Sequence, residues 1–377
     1  MRIGFDGKRA VQNFTGLGNY SRYVANILCH FYPENDYVLY APKKRENKRM
    51  NLLTGQYRQL TLAYPATSFW KKLSSLWRVW GITSQLEKEG IELFHGLSNE
   101  LPLNIHKSRI KSIVTIHDLI FLRYPQYYQS IDRKIYTYKF RKACENADKI
   151  IAISECTKRD IIRYFNIPDD KIEVVYQGCD VSFTHPVTEE KKEEVRKKYQ
   201  LPDHYILNVG SIEERKNILA AVQALPMLPQ HIHIVIVGRR TGYTEKVEQF
   251  IKDNGLGERV HIISNVPFND LPAFYQLAEI FVYPSRFEGF GIPIIEALYS
   301  GIPVVAATGS CLEEAGGPDS IYVNPDDITG LADAFKQIYS NSDKRKNMVE
   351  KGREFAKRFS EKQQSEEIIN IYKKLIR

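Results

Sequence analysis

Short apolar runs alternate with amphipathic stretches along the whole chain. In the first half Ile3–Phe5, Tyr37–Tyr40, Leu93–His95, Ser112–Ile116, Lys149–Ile153 and Ile172–Val175 have the length and composition of buried strands. In the second half Tyr205–Val209, His233–Val237, Val260–Ile263, Ile280–Tyr283 and Val304–Ala306 do the same. Helix-like segments fill the intervals, which predicts an α/β protein with parallel sheets. Several runs end in Gly, His or Ser, at the carboxyl edge where open α/β sheets bind ligands. The stretch Ser182–Pro202 breaks the rhythm. Its charge-dense Glu189–Lys198 portion predicts an exposed helix after a linker, placing a domain boundary near residue 183. A last helix is expected over Ser360–Arg377, with Ile368, Ile369, Tyr372 and Leu375 on one face.

The 377 residues suffice for two domains, and hydrophobic and charged fractions of 43% and 26% are those of a soluble globular protein. No stretch approaches the roughly 20 apolar residues of a membrane-spanning helix. Met1–Asp6 reads as a strand rather than the apolar core of a signal peptide. Five scattered cysteines without Cys-x-x-Cys spacing argue against a zinc site or a disulfide framework, and for a reducing cytoplasm. The net charge of +8 is uneven: residues 1–180 hold 28 Lys and Arg against 18 Asp and Glu, the remainder 25 against 27. A basic first half suggests an acidic partner there, a membrane surface or lipid phosphate ahead of a nucleic acid.

The richest stretch for chemistry is Glu288-Gly-Phe-Gly-Ile-Pro-Ile-Ile-Glu296, directly after the run Ile280–Tyr283. Its glycines let the chain turn sharply, and Pro293 suits a helix start. Glu288 is expected on the loop and Glu296 in the first helical turn. The N–H groups of Phe290, Gly291 and Ile292 would form an anion site at the helix N-terminus. Anion donors beside two carboxylates that accept hydroxyls suit a sugar carried on a phosphate. A solvated Glu288 and a dipole-serving Glu296 are the plainer alternative. Arg215 and Lys216 follow the strand Tyr205–Val209 and can clamp a diphosphate. Gly238, closing His233–Val237, would let a nucleotide approach the backbone. In the first half, Thr15-Gly16-Leu17-Gly18 reads as a glycine-rich loop leading into a helix over Tyr20–Leu28, short of a dinucleotide or P-loop fingerprint. His117 and Asp118 end the strand Ser112–Ile116 and could meet a substrate hydroxyl or phosphate, with a structural His–Asp pair as the alternative; His95 is a weaker candidate. All three tryptophans lie in Phe69–Trp80, where Trp70, Leu73, Trp77 and Trp80 recur at helical spacing among Lys71, Lys72 and Arg78. Such a helix either lies in a membrane interface or buries its aromatic stripe on the sheet.

Taken together these segments resemble glycosyltransferase family 4, the glycosyl transferases group 1, most specifically through Glu288 and Glu296 at Glu-x7-Glu spacing and the following Gly301–Ala306 and Leu312–Ala315 segments. The resemblance implies a retaining enzyme of the GT-B fold: two Rossmann-like domains with parallel sheets facing across a cleft. It implies an acceptor-binding domain over 1–182, a nucleotide-sugar-binding domain over 183–359, and a helix 360–377 returning to the first. By the same resemblance Glu288 contacts donor-sugar hydroxyls, Glu296 the ribose, and Lys216 with the amides of Phe290 to Ile292 the diphosphate. Gly16, Leu17, Gly18, His117 and Asp118 fall on the acceptor side. Many members carry an Arg five residues before the Lys, where this chain has Ser211; Arg215 can supply that charge. The segment His117–Pro125 is similar to bacterial polysaccharide mannosyltransferases.

The expectation is therefore transfer of a hexose, mannose favoured, from a nucleoside diphosphate sugar such as GDP-mannose to a glycan or lipid-linked glycan, without metal or other cofactor. The expected location is cytoplasmic, with peripheral contact at an anionic membrane and no nucleic acid partner. A non-catalytic nucleotide-sugar-binding protein, or a phosphorylase-like or epimerase-like enzyme of the same architecture, are the alternatives.

Overall fold

A computed structural model describes residues 1–13 and 16–376. The chain forms two compact units, Met1–Gln177 with Glu361–Arg377, and Gly178–Ser360. The division thus falls at Gly178, a few residues before the position the linker composition suggested. The helix Glu189–Tyr199 belongs to the second unit; it buries only Val195, as its dense charge requires.

The first unit is built on strands β1 (Arg2–Asp6), β2 (Asp36–Tyr40), β3 (Leu60–Ala63), β4 (Leu93–Gly96), β5 (Lys111–Ile116), β6 (Lys149–Ala152) and β7 (Ile172–Val174). They pair in the order β3-β2-β1-β4-β5-β6-β7, all parallel. The second unit uses β8 (Tyr205–Val209), β9 (His233–Val237), β10 (Val260–Ile263), β11 (Ile280–Tyr283), β12 (Val304–Ala307) and β13 (Ile321–Val323). Their order is β10-β9-β8-β11-β12-β13, again all parallel. Both sheets reverse their direction of growth in the middle, beside β1 in one and β8 in the other. Crevices for ligands open at such switch points, beyond the carboxyl ends of the strands.

The sequence pattern missed β3 and β13. Both are edge strands with mostly half-exposed residues, so neither needs the continuous apolar run that marks a central parallel strand. The helix Glu361–Ile376 packs beside the helix Gly16–Phe31, and Ile368, Ile369, Ile371 and Tyr372 complete the first unit's core.

The aromatic stretch does not behave as one stripe. Residues Trp77–Gly81 form a π-helical turn, whose extra residue rotates the later side chains about the axis relative to the earlier ones. Trp77 is fully buried and donates its indole N–H to Gln85 at 3.1 Å. Trp70 lies half-buried over Gly81, where a Cβ would meet its ring at 2.6 Å. Trp80 stays exposed. Among the described residues no helix is long and apolar enough to cross a membrane.

Candidate functional site

In the second unit the site grows from two adjacent strands. β8 and β11 are neighbours, held together by the Asn208 side chain donating to the Val282 carbonyl at 2.9 Å. Each is followed by a loop at the switch point. The β8 loop passes through a 3-10 turn, Glu214–Lys216, and leaves it at Asn217 in the left-handed conformation (φ 55°). Asn is among the few non-glycine residues that adopt this conformation readily. Its side-chain N–H groups bond the carbonyls of Pro284 (3.2 Å) and Pro325 (2.8 Å), pinning the turn to the loops after β11 and β13.

This places Arg215 and Lys216 on Glu288. Lys216 Nζ donates to Glu288 Oε1 at 3.0 Å and to the Tyr283 hydroxyl at 2.8 Å, while Arg215 Nη1 lies 2.8 Å from Glu288 Oε2. Arg215 also donates to the Phe287 carbonyl and accepts from Arg286 N–H through its own carbonyl at 2.9 Å. Burial opposes ionisation of Glu288, but Lys216 and Arg215 outweigh it and hold the carboxyl at about 2. Burial likewise opposes the charge on Lys216, and Glu288 and Tyr283 overcome it, leaving the amine above its usual range. Burial, with Glu288 next, pushes the Tyr283 hydroxyl up to about 12. Arg215 also lies 3.8 Å from Glu213, which Arg239 meets at 3.6 Å, so three cations stand around two carboxylates and leave a surplus of one positive charge. Lys216 has three N–H donors and two are engaged, so one is left to meet an anion.

The loop after Glu288 is fixed from behind. The buried Cys311 thiol donates to the carbonyls of Glu288 (3.0 Å) and Phe290 (2.8 Å). Because a trans peptide's N–H opposes its C=O, the N–H of Gly291 points away from Cys311. Gly291 packs close: a Cβ there would meet Ala315 Cβ at 3.0 Å. The helix Ile292–Ser300 starts immediately after; Pro293 has no N–H, and Ile294 and Ile295 donate to the Gly291 carbonyl at 2.9 and 3.3 Å, so of the first turn only the Ile292 N–H has no partner within the helix.

Glu296 corrects the sequence expectation. It is the fifth residue of that helix rather than part of its first turn, and it is buried, accepting from the Tyr275 hydroxyl at 2.6 Å. Burial pushes its carboxyl up to about 7, the Tyr275 hydrogen bond opposing and Asp180 adding to the rise. Ser211, in place of the family's Arg, donates its hydroxyl to Glu213 at 2.6 Å. Gly238 has a packing reason of its own: a Cβ would lie 1.8 Å from the Gly210 carbonyl oxygen. Gly238→Ala is therefore expected to destabilise the protein by about 2 kcal/mol or more, since backbone cannot yield as a side chain can. A urea midpoint equal to wild type would contradict this.

In the first unit the expected glycine loop is already helix. Gly16, Leu17 and Gly18 form the first turn of Gly16–Phe31; Thr15 lies outside the described residues. A Cβ on Gly18 would meet the Asn13 carbonyl oxygen at 2.0 Å, so close packing of the chain explains that glycine, while Gly16 faces open space.

His117 is buried with both ring nitrogens engaged. Its Nε2 lies 2.9 Å from the Leu97 carbonyl, which can only accept, so Nε2 carries the proton. Nδ1 then accepts from Gln177 Nε2 at 3.2 Å, and burial lowers the ring to about 4 despite the Leu97 carbonyl. Its backbone N–H donates to Asn99 at 2.7 Å, and Tyr20 packs edge-on at 4.6 Å. A substrate contact therefore requires Gln177 to release Nδ1. Asp118 accepts from the Ile120 N–H, the first of the short helix Ile120–Arg123, at 3.1 Å. His95 is wholly internal, bonded to Tyr372 (2.6 Å) and Thr115 (2.8 Å).

Sequence reasoning missed Tyr283, Tyr275, Asn217 and Cys311. Tyr283 was visible as the polar-tipped last residue of an apolar run. Tyr275 and Cys311 carry no local signal, because their partners lie 21 to 23 positions away.

Two Rossmann-like parallel sheets, one carrying a paired Glu–Lys–Arg cluster ahead of a glycine-flanked helix start, define a glycosyltransferase of the GT-B fold. The chain belongs to the glycosyl transferases group 1 family, whose model matches residues 189–355; the model for Glycosyltransferase Family 4 matches residues 21–183. It is 31% identical over 289 residues to O-antigen chain mannosyltransferase B of Escherichia coli, covering 75% of this chain and 74% of that protein. Among solved structures it is similar to sucrose-phosphate synthase from Thermosynechococcus elongatus, with a TM-score of 0.79 and 20% identity over 100% of this chain and 99% of the other. It is also similar to HepE of Anabaena in complex with UDP, with a TM-score of 0.78 and 17% identity over 100% of both chains.

Proposed function

We propose that this glycosyltransferase moves mannose from a nucleoside diphosphate sugar, GDP-mannose in the favoured reading, to a hydroxyl of a lipid-linked glycan during cell-surface polysaccharide synthesis, with retention of anomeric configuration. The observation that carries the reading is the Glu288–Lys216–Arg215 cluster beside the start of the helix Ile292–Ser300. Surplus positive charge and the Ile292 N–H at the positive end of the helix suit a departing diphosphate, which they stabilise as its negative charge develops. No metal is needed for that role. Glu288, kept ionised, accepts from sugar hydroxyls and is a poor proton donor, unlike the acid of a glycosidase. Glu296 takes the ribose, and the first unit takes the acceptor. The mannosyl preference is supported by the similarity to O-antigen chain mannosyltransferase B. Work at the inner face of the cytoplasmic membrane, with peripheral contact, accords with the basic first half.

Thermal unfolding against a panel of nucleoside diphosphate sugars tests the donor. A ligand at about 100 times its Kd stabilises the native state by roughly 2.7 kcal/mol, a shift of several degrees. GDP-mannose is expected to give the largest shift, unchanged by a chelator. A larger shift with UDP-glucose would replace the base and sugar, and no shift with any donor would overturn the reading.

A further inference from the structure

The helix Ser130–Asn146 in the first unit fully buries only Ala143 and Cys144, near its end. Earlier along it Ile131, Ile135 and Tyr138 are 65%, 45% and 56% exposed. Their i, i+4, i+7 spacing makes one apolar stripe without cover. Beside it lies a cavity of about 340 Å³ whose apolar wall is Val79, Leu101, Leu103, Ile135 and Tyr138. That volume falls within the range of small-molecule sites.

The charges around it are unequal. Arg78, on the π-helical turn, is buried between Asp6 and Glu100, bonding Asp6 through two nitrogens and Glu100 at 2.6 Å. Arg78 brings one positive charge to two carboxylates, so Glu100 keeps charge to share with a second cation. Lys139 stands 3.6 Å from Glu100, with its side chain 42% exposed. Lys134 lines the cavity, is exposed, and pairs with no carboxylate among the described residues. The π-turn produces this arrangement: it sends Arg78 inward to the acids while its neighbour Val79 lines the cavity, held through its carbonyl by the Leu103 N–H at 2.9 Å. Single π-turns often mark functional positions. A narrower space sharing Val79, Glu100 and Leu101 runs on to Asp6, at the carboxyl end of β1.

A sugar or nucleotide would find few polar partners on such walls. A wholly apolar ligand would strip water from the Lys134 ammonium without compensation, since only Lys139 has a carboxylate, Glu100, nearby. An amphiphile with a hydrocarbon chain and an anionic head satisfies both. We infer that this cavity binds the prenyl or alkyl phosphate end of a lipid acceptor, the chain along Val79, Leu103 and Ile135 and the phosphate on Lys134 and Lys139. The lipid's part in the reaction rests on the proposed function; the site itself does not.

The test titrates the full chain with farnesyl phosphate, farnesol and inorganic phosphate in bilayer-free solution, by calorimetry. Farnesyl phosphate is expected to bind at least tenfold more tightly than farnesol, and phosphate not at all over the same range. Ile135→Glu and Lys134→Glu, both at exposed positions, should each weaken farnesyl phosphate at least tenfold while the melting temperature and its shift by donor sugar stay at wild-type values. Equal affinity in both variants would overturn the site. So would loss of binding to phosphatidylglycerol vesicles with farnesyl phosphate affinity intact, which would mark a membrane-resting face instead. Farnesyl phosphate binding that responds to both substitutions, with no transfer from any donor, would support the site and overturn the acceptor reading alone.

Discussion

Lys216→Ala is expected to lower kcat by about 10²- to 10³-fold, the usual cost of losing one donor aimed at developing charge. The residue contributes two things: an ammonium with an N–H to spare, and a clamp on Glu288 and Tyr283 at 3.0 and 2.8 Å. Its removal leaves Glu288 with Arg215 at 2.8 Å, so the carboxylate is not stranded and the protein should fold. Acid stability should nevertheless change. The folded pKa of Glu288 is depressed, so its contribution is present above the ordinary carboxylate range and is lost as pH falls through about 2. With one cation gone the depression is smaller, and acid unfolding should begin at a higher pH. Initial rates at saturating donor, with circular-dichroism melts from pH 2 to 7, measure both effects. Wild-type kcat in a folded variant would remove Lys216 from the reaction.

Glu296→Gln should behave differently. The folded pKa is raised to about 7, so burial favours the protonated carboxyl; that stability is complete below the ordinary carboxylate range and is lost as pH rises through about 7. Glutamine stays neutral and keeps an acceptor for Tyr275. The variant should therefore match wild type near pH 5 and exceed it at pH 8, by up to about 3 kcal/mol if the whole shift is realised. Donor binding should move the other way. A carboxylate accepts ribose hydroxyls more strongly than an amide, so donor KM should rise about tenfold at pH 8 with a smaller change in kcat. A variant no more stable than wild type at pH 8 would contradict the raised pKa. An unchanged KM would take the ribose away from Glu296.

Much of this was legible in the sequence because parallel strands buried on both faces read as apolar runs, and eleven of the strands do so. The loops carrying Glu288 and Lys216 were legible for the same reason, since a strand's end marks the carboxyl edge. What was hidden depends on pairing in space. Nothing local says that Lys216 and Arg215 close on Glu288, 72 positions beyond the lysine, or that Glu296 is buried under Tyr275. Helix phase was also misjudged. Pro293 and the glycines predicted a start, but the helix begins at Ile292, which puts Glu296 past its first turn. Gly16 and Gly18 read as a loop because glycine disfavours helices; Gly18 is helical because only glycine fits against the Asn13 carbonyl. The π-turn at Trp77–Gly81 defeated a reading that assumed one period throughout.

The helix Glu361–Ile376 has a consequence for how the protein is made. Tyr372 bonds His95, which bonds Thr115, which bonds Tyr20 at 3.2 Å, so the final helix closes a buried polar chain as well as an apolar core. The second unit is continuous in sequence, and that helix is encoded after it. The first unit is split by the second, so its core stays open on one flank until Glu361–Ile376 docks. Domains that emerge complete fold as units, and a waiting flank is where a nascent chain most needs a chaperone.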